Sequence, residues 1–146
     1  MTNRPAKPEG MSWLTPMFTV KDMQNALDFY AQAFGFEKTF EMAGEDGNLM
    51  HAEMRYRGHG MMFGPEWPQS TSKAPAHVSG TTTDMYLYTD DIEAAFKRAT
   101  QAGARVVMEI KDQFWGDRTF MVECPEGHKW MFAQNVADYD PNNVPG

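Results

Sequence analysis

Apolar residues recur along this chain with two periods, and the succession of periods occurs twice. Residues 14–20 and 85–89 alternate or run apolar and are rich in β-formers, which predicts strands. Each is followed by an aspartate, Asp22 or Asp91, placed to accept from the open amides of a first helical turn. Behind these caps Met23, Ala26, Leu27, Tyr30 and Phe34 return every three or four residues, as do Ile92, Ala95, Phe96 and Ala99, and each set marks one helix face. Gly35 and Gly103 stand where a left-handed residue ends a helix. Extended runs follow at 36–42 and 105–110. Each half closes with a hairpin, Leu49–Tyr56 with 61–63 and Asp117–Glu123 with 129–134, turning at Arg57-Gly58-His59-Gly60 and Pro125-Glu126-Gly127.

The halves match at a spacing of sixty-nine residues: Asp22 falls on Asp91, Gly58-His59 on Gly127-His128, and Met62-Phe63 on Met131-Phe132. Internal repetition constrains the fold more than any single element does. Two βαβββ modules, at 12–64 and 84–136, are predicted. They are joined by a Pro-, Ser- and Thr-rich segment at 65–83, longer than an idle loop needs, and flanked by polar tails at 1–11 and 137–146. The fold class is α+β, with eight strands in a curved sheet whose helix-free side is a cup. Strand alternation then sorts side chains. Leu14, Phe18, Val20, Met85 and Leu87 face the helices, with Ala52, Met54, Phe63, Trp130 and Phe132. The cup receives Thr15, Met17, Thr19, Asp84, Tyr86, Tyr88, His51, Glu53, Arg55, Met62 and Met131. Transferring the first hairpin onto the second adds Arg118, Phe120 and Val122.

Composition narrows the function classes. In 146 residues, 42% are apolar and 13% aromatic, enough for one packed core. Twenty acidic against thirteen basic side chains give a net charge of −7, which argues against a nucleic-acid or anionic-membrane partner. A single cysteine, Cys124, excludes an intrachain disulfide and suits a reducing compartment, where it reads as a packing residue. With no membrane-span-length apolar run and no signal-type start, a cytoplasmic domain is expected.

Two stretches carry a family resemblance. V-K-D-M-x-x-A-L-D-F-Y-x-x-A-F-G-F begins at Val20, and C-P-E-G-H-K-W begins at Cys124. With the paired modules they resemble the vicinal oxygen chelate superfamily, the group of glyoxalase I, bleomycin-resistance proteins and extradiol dioxygenases. Asp112-Gln113-Phe114-Trp115-Gly116-Asp117-Arg118 is similar to its PhnB-like branch. The resemblance implies a divalent metal held by four quasi-equivalent positions, a Lewis acid toward neighbouring substrate oxygens. Here those positions hold Thr15, Met62, Asp84 and Met131. Two thioethers and a hydroxyl do not suit a hard or borderline cation, so no metal and no cofactor are assigned.

What is left is a small-molecule pocket with sulfur and aromatic walls: Met17, Met62 and Met131, then Tyr86, Tyr88, Trp115 and Phe120, with Glu53 and Arg118 to orient a polar end. His51 beside Glu53 is open to three readings: a bridge to Arg55 or Arg118, a relocated metal site with Asp84, or an acid–base pair. His59 and His128, at turns, are expected in solvent. The leading expectation is a metal-independent ligand-binding protein of the bleomycin-resistance type. The alternatives are a glyoxalase I-like or dioxygenase-related enzyme with a relocated metal, and a metal-free acid–base enzyme. Kinship further implies a homodimer.

Overall fold

The structure, a computed structural model, describes residues 3–145. Its first module runs β1 (Met17–Val20), α1 (Met23–Phe34), β2 (Glu37–Ala43), β3 (Leu49–Tyr56) and β4 (His59–Pro65). After a short helix α2 (Pro75–Val78), the second repeats the order as β5 (Met85–Tyr88), α3 (Ile92–Gln101), β6 (Arg105–Asp112), β7 (Asp117–Glu123) and β8 (Lys129–Asn135). The sheets are ordered β1-β4-β3-β2 and β5-β8-β7-β6. In each, the first strand joins the last in parallel, and the other pairs are antiparallel.

The caps lie where the sequence places them. Asp22 Oδ1 accepts from the Asn25 amide at 3.0 Å, and Asp91 Oδ1 from the Ala94 amide at 3.0 Å. Gly35 ends α1 at φ +73° and returns its amide to Ala31. Its missing side chain also admits α3, because a Cβ there would lie 2.6 Å from the Arg98 guanidinium. That guanidinium donates to the Gln32 carbonyl and ties the two helices together.

One apolar core serves both modules. Trp130, at the start of β8, packs against Phe18, Tyr30, Phe34 and Phe36 of the first module at ring separations of 5.2–5.4 Å. Its indole N–H donates to Tyr30, whose hydroxyl in turn donates to the buried Cys124 sulfur at 3.1 Å. Burial raises the Cys124 thiol above its ordinary value, which fits its packing role.

The eight strands form two four-stranded sheets, and among the described residues no ladder joins β1 to β5. Side chains close the seam between the modules instead. Glu126, buried in the β7–β8 turn, accepts from the amides of Lys21 and Asp22. His128 donates to the Thr19 carbonyl at 3.0 Å. On the other side, the Tyr56 hydroxyl donates to the Tyr88 carbonyl at 2.6 Å. The expectation that His128 is solvated is therefore corrected: its ring stands edge-on to Phe18 at 5.0 Å, and burial lowers its pKa.

Two further expectations change. Leu14 does not pack on a helix; it is 88% exposed, because β1 starts only at Met17, after Pro16. Arg118, Phe120 and Val122 do not face the cup. Phe120 is buried and stacks on Phe132 at 5.0 Å and on Phe96 of α3 at 5.2 Å. The cause is a slip of one residue. Ala52 lies opposite Phe63, whereas Phe120, not Met121, lies opposite Phe132, so β7 is displaced by one against the sixty-nine-residue repeat. The turn from Cys124 to His128 is one residue longer than that from Tyr56 to His59, and a slip of one moves every side chain of the strand to the other face.

Candidate functional site

The slip turns Asp117, Thr119, Met121 and Glu123 onto the face opposite the helix. Asp117 is the first residue of β7 and only 2% exposed. Its Oδ2 accepts from the hydroxyls of Tyr86 at 2.6 Å and Tyr88 at 2.8 Å, and its Oδ1 from the Asn135 amide at 3.0 Å. The two tyrosines are alternate residues of β5 and reach Asp117 across β8. Opposite Tyr88 in β8 stands Ala133, too small to block the way. The Trp115 indole N–H donates to the Tyr86 hydroxyl at 3.0 Å. Burial works to raise the Asp117 pKa, but the hydrogen bonds from Tyr86, Asn135 and Tyr88 outweigh it and hold the carboxyl below its usual range. Both phenols are shifted upward, Tyr86 by burial first and then by its bond to Asp117, Tyr88 chiefly by that bond.

Beside this group lies a cavity of about 440 Å³, lined mostly by apolar groups. Tyr86 and Tyr88 line it, together with Met61, Leu87, Trp130, Leu14 and Tyr56. Its origin lies in the repeat. On the β1 side of the seam Phe18, His128 and Trp130 fill the gap; their counterparts on the β5 side are Leu87, His59 and Met61. Two of these are smaller, and His59 turns outward, so this side stays hollow.

The other candidates divide. His51 Nε2 stands 3.9 Å from the Glu53 carboxylate on β3, half-buried and close to Phe40. Arg55 does not bridge to them; its guanidinium donates to the carbonyls of Gly10 and Gly58. Arg118 is likewise elsewhere, paired with Asp112 at 2.6 Å beyond the cup. Met62 lies opposite Met17 and Glu53 in the β4 register, and Met131 opposite Tyr86 and Met121 in the β8 register. Thr15 is half-buried just before β1, and Asp84 is exposed just before β5.

These positions give an implied metal one carboxylate, one hydroxyl and two thioethers, a set that does not fit a hard or borderline divalent ion. Among the described residues no three His, Cys, Asp or Glu side chains come together as a potential metal cluster. Asp117 and Asn135 are the site residues that the sequence reading missed. Alternation within β7 alone, where Phe120 and Val122 are the apolar pair, would have exposed Asp117.

Comparisons with known proteins agree with the architecture. The family model described as the Glyoxalase/Bleomycin resistance protein/Dioxygenase superfamily matches residues 12–132. An uncharacterized protein of Mycobacterium bovis is 37% identical over 134 residues, spanning 90% of this chain and 88% of that protein. The crystal structure of TioX from Micromonospora sp. ML1 superposes with a TM-score of 0.70 at 28% identity, over 86% of this chain and 99% of TioX. TnmS3, an antibiotic binding protein from Streptomyces sp. CB03234, superposes with a TM-score of 0.63 at 22% identity, over 86% of this chain and 98% of TnmS3, a likeness of fold.

Proposed function

The chain belongs to the glyoxalase/bleomycin resistance protein/dioxygenase superfamily, and from that premise we propose that it is a binding protein of the bleomycin-resistance kind, holding an aromatic or amphipathic small molecule without a metal. The observation that carries this reading is the cavity of about 440 Å³ at the β5 edge. Its size falls within the usual range for small-ligand sites, roughly 300–1,000 Å³, and apolar walls with a few fixed polar groups are what such sites need. The donor chemistry at Thr15, Met62, Asp84 and Met131 supports a role that does not depend on an ion. An antibiotic binding protein shares the fold, which makes binding one of its uses. Within the superfamily, segment 112–118 supports the PhnB-like branch.

The test uses a neutral amphipathic fluorophore, 6-propionyl-2-dimethylaminonaphthalene, with EDTA-treated protein. Saturable binding is expected, with a blue-shifted emission that weakens in Leu87→Phe, which places at β5 the ring that Phe18 supplies at β1. No saturable binding, or a Leu87→Phe protein that binds unchanged, refutes the reading.

A metal-free acid–base enzyme is the second reading, favoured by the approach of His51 to Glu53. It requires turnover that survives EDTA and is lost in Glu53→Gln. A stoichiometric divalent ion lost in His51→Ala would instead establish the relocated-metal enzyme. We further propose a homodimer. Trp13 and Leu14, 83% and 88% exposed ahead of β1, support it as apolar surface suited to pairing. Sedimentation velocity at micromolar concentration tests it, and a monomer refutes it.

A further inference from the structure

Asp117 carries a negative charge that its hydrogen bonds stabilise but no cationic side chain among the described residues neutralises. The carboxylate is almost wholly buried and accepts three hydrogen bonds, yet among the described residues no Lys, Arg or His forms an ion pair with it. The hydrogen bonds from Tyr86, Tyr88 and Asn135 keep this carboxylate ionised, so a negative charge with no opposite charge paired to it stands behind the two tyrosine rings. The neighbouring Arg118 points to the other face of β7 and is held by Asp112.

The groups that bond to Asp117 are aromatic. Tyr86 and Tyr88 are 43% and 54% exposed although their hydroxyls are pinned inward, so it is the rings that reach solvent. Those rings meet at 70° with centroids 5.6 Å apart, and Trp115, bonded to the Tyr86 hydroxyl, stands perpendicular to Phe114 at 5.1 Å. The arrangement is an aromatic corner over a negative charge. Ring faces attract cations through their quadrupole, and donating a hydroxyl proton toward a carboxylate makes a phenol ring more electron-rich. Asp84, just before β5 and two residues from Tyr86, adds an exposed carboxylate. The net charge of −7 favours the approach of a cation over that of an anion.

We infer that Tyr86, Tyr88 and Trp115, backed by Asp117, form a subsite for an organic cation, so that the ligand carries an alkylammonium or quaternary ammonium group beside its apolar body. This rests on the proposed binding function and narrows its ligand class. The apolar body fills the cavity along β5, and the ammonium group lies against the tyrosine rings that line the cavity.

Three probes sharing one ring system test it by calorimetry at low salt: (1-naphthylmethyl)trimethylammonium, 1-(methoxymethyl)naphthalene and 1-naphthalenemethanesulfonate. The cation is expected to bind at least about tenfold more tightly than the neutral ether, a ratio within the range of a desolvated cation–π contact, and the sulfonate most weakly. In Asp117→Asn, which retains an acceptor for the tyrosines, the ratio should collapse toward one. If that variant does not fold, Tyr88→Leu, a change at a half-exposed ring, should reduce the ratio at least severalfold. Equal binding of cation and ether overturns the inference while leaving the proposed binding function standing. Binding of none of the three overturns both. A ratio that persists in Tyr88→Leu places the cation elsewhere and overturns the inference alone.

Discussion

Asp117 shows how much one side chain can organise. Its carboxylate draws two phenols from another strand and an amide from a third, and so fixes the orientation of the aromatic wall. The upward shifts of Tyr86 and Tyr88 have a consequence in base. The folded state holds these protons more tightly than the unfolded chain, so their stabilisation is complete below about pH 10 and is lost as pH rises toward the folded values. A tyrosinate absorbance titration should therefore show Tyr86 and Tyr88 ionising late, and Asp117→Asn should return them toward the ordinary range. Early ionisation of both in the native protein would contradict the hydrogen bonds to Asp117. Phe120 sits at the opposite extreme, a ring between Phe96 and Phe132 with no exposed surface. Phe120→Ala should lower the unfolding free energy by about 3–5 kcal/mol, read from urea denaturation, whereas a residue lining an open cup would cost little. The same one-residue slip that puts Phe120 in the core puts Asp117 in the site. A repeat read from flanking glycines and histidines does not register a turn lengthened by one, so transferring the first hairpin misplaced both residues, although alternation within β7 itself carried the signal.

Helices, strands and caps were largely legible because their periods and terminal residues are local properties. Leu49–Tyr56 and Asp117–Glu123 are strands at the bounds that alternation predicts, and Asp22 and Asp91 both cap as expected. Asp22→Ala should cost about 1 kcal/mol, measurable as a lowered urea midpoint with unchanged slope. The segment between the modules was less legible, because its order comes from contacts distant in sequence. Pro75 and Ala74 are buried, the Ala76 amide donates to the Glu126 carbonyl, and the Glu66 carboxylate accepts from the Ala74 amide and meets His77 at 2.8 Å. Gly127 makes this docking possible: its φ is +92°, and a Cβ would lie 2.8 Å from the Ala76 nitrogen. Gly127→Ala should lift α2 from the turn and increase proteolytic cleavage within 65–83. A variant that resists protease like the parent would show that the segment is held some other way.

Across the whole molecule, the two modules are joined by a shared core and by side chains reaching across the seam, and no sequence pattern announces such long-range pairs. His128 makes the joint sensitive to acid. Burial lowers its pKa, so the unfolded chain takes up a proton near pH 6.5 before the folded one does, and stability falls as pH drops from there through the lower folded value. His128→Gln should flatten the change in urea midpoint between pH 7.5 and 5.5; an unaltered pH dependence would remove His128 from that role. The seam's asymmetry has a further consequence. A duplicated architecture ordinarily offers every niche in duplicate, but here Phe18, His128 and Trp130 plug one copy while Leu87, His59 and Met61 leave the other vacant. Each polypeptide should accordingly saturate at one equivalent of ligand, a stoichiometry that its internal symmetry alone would have put at two.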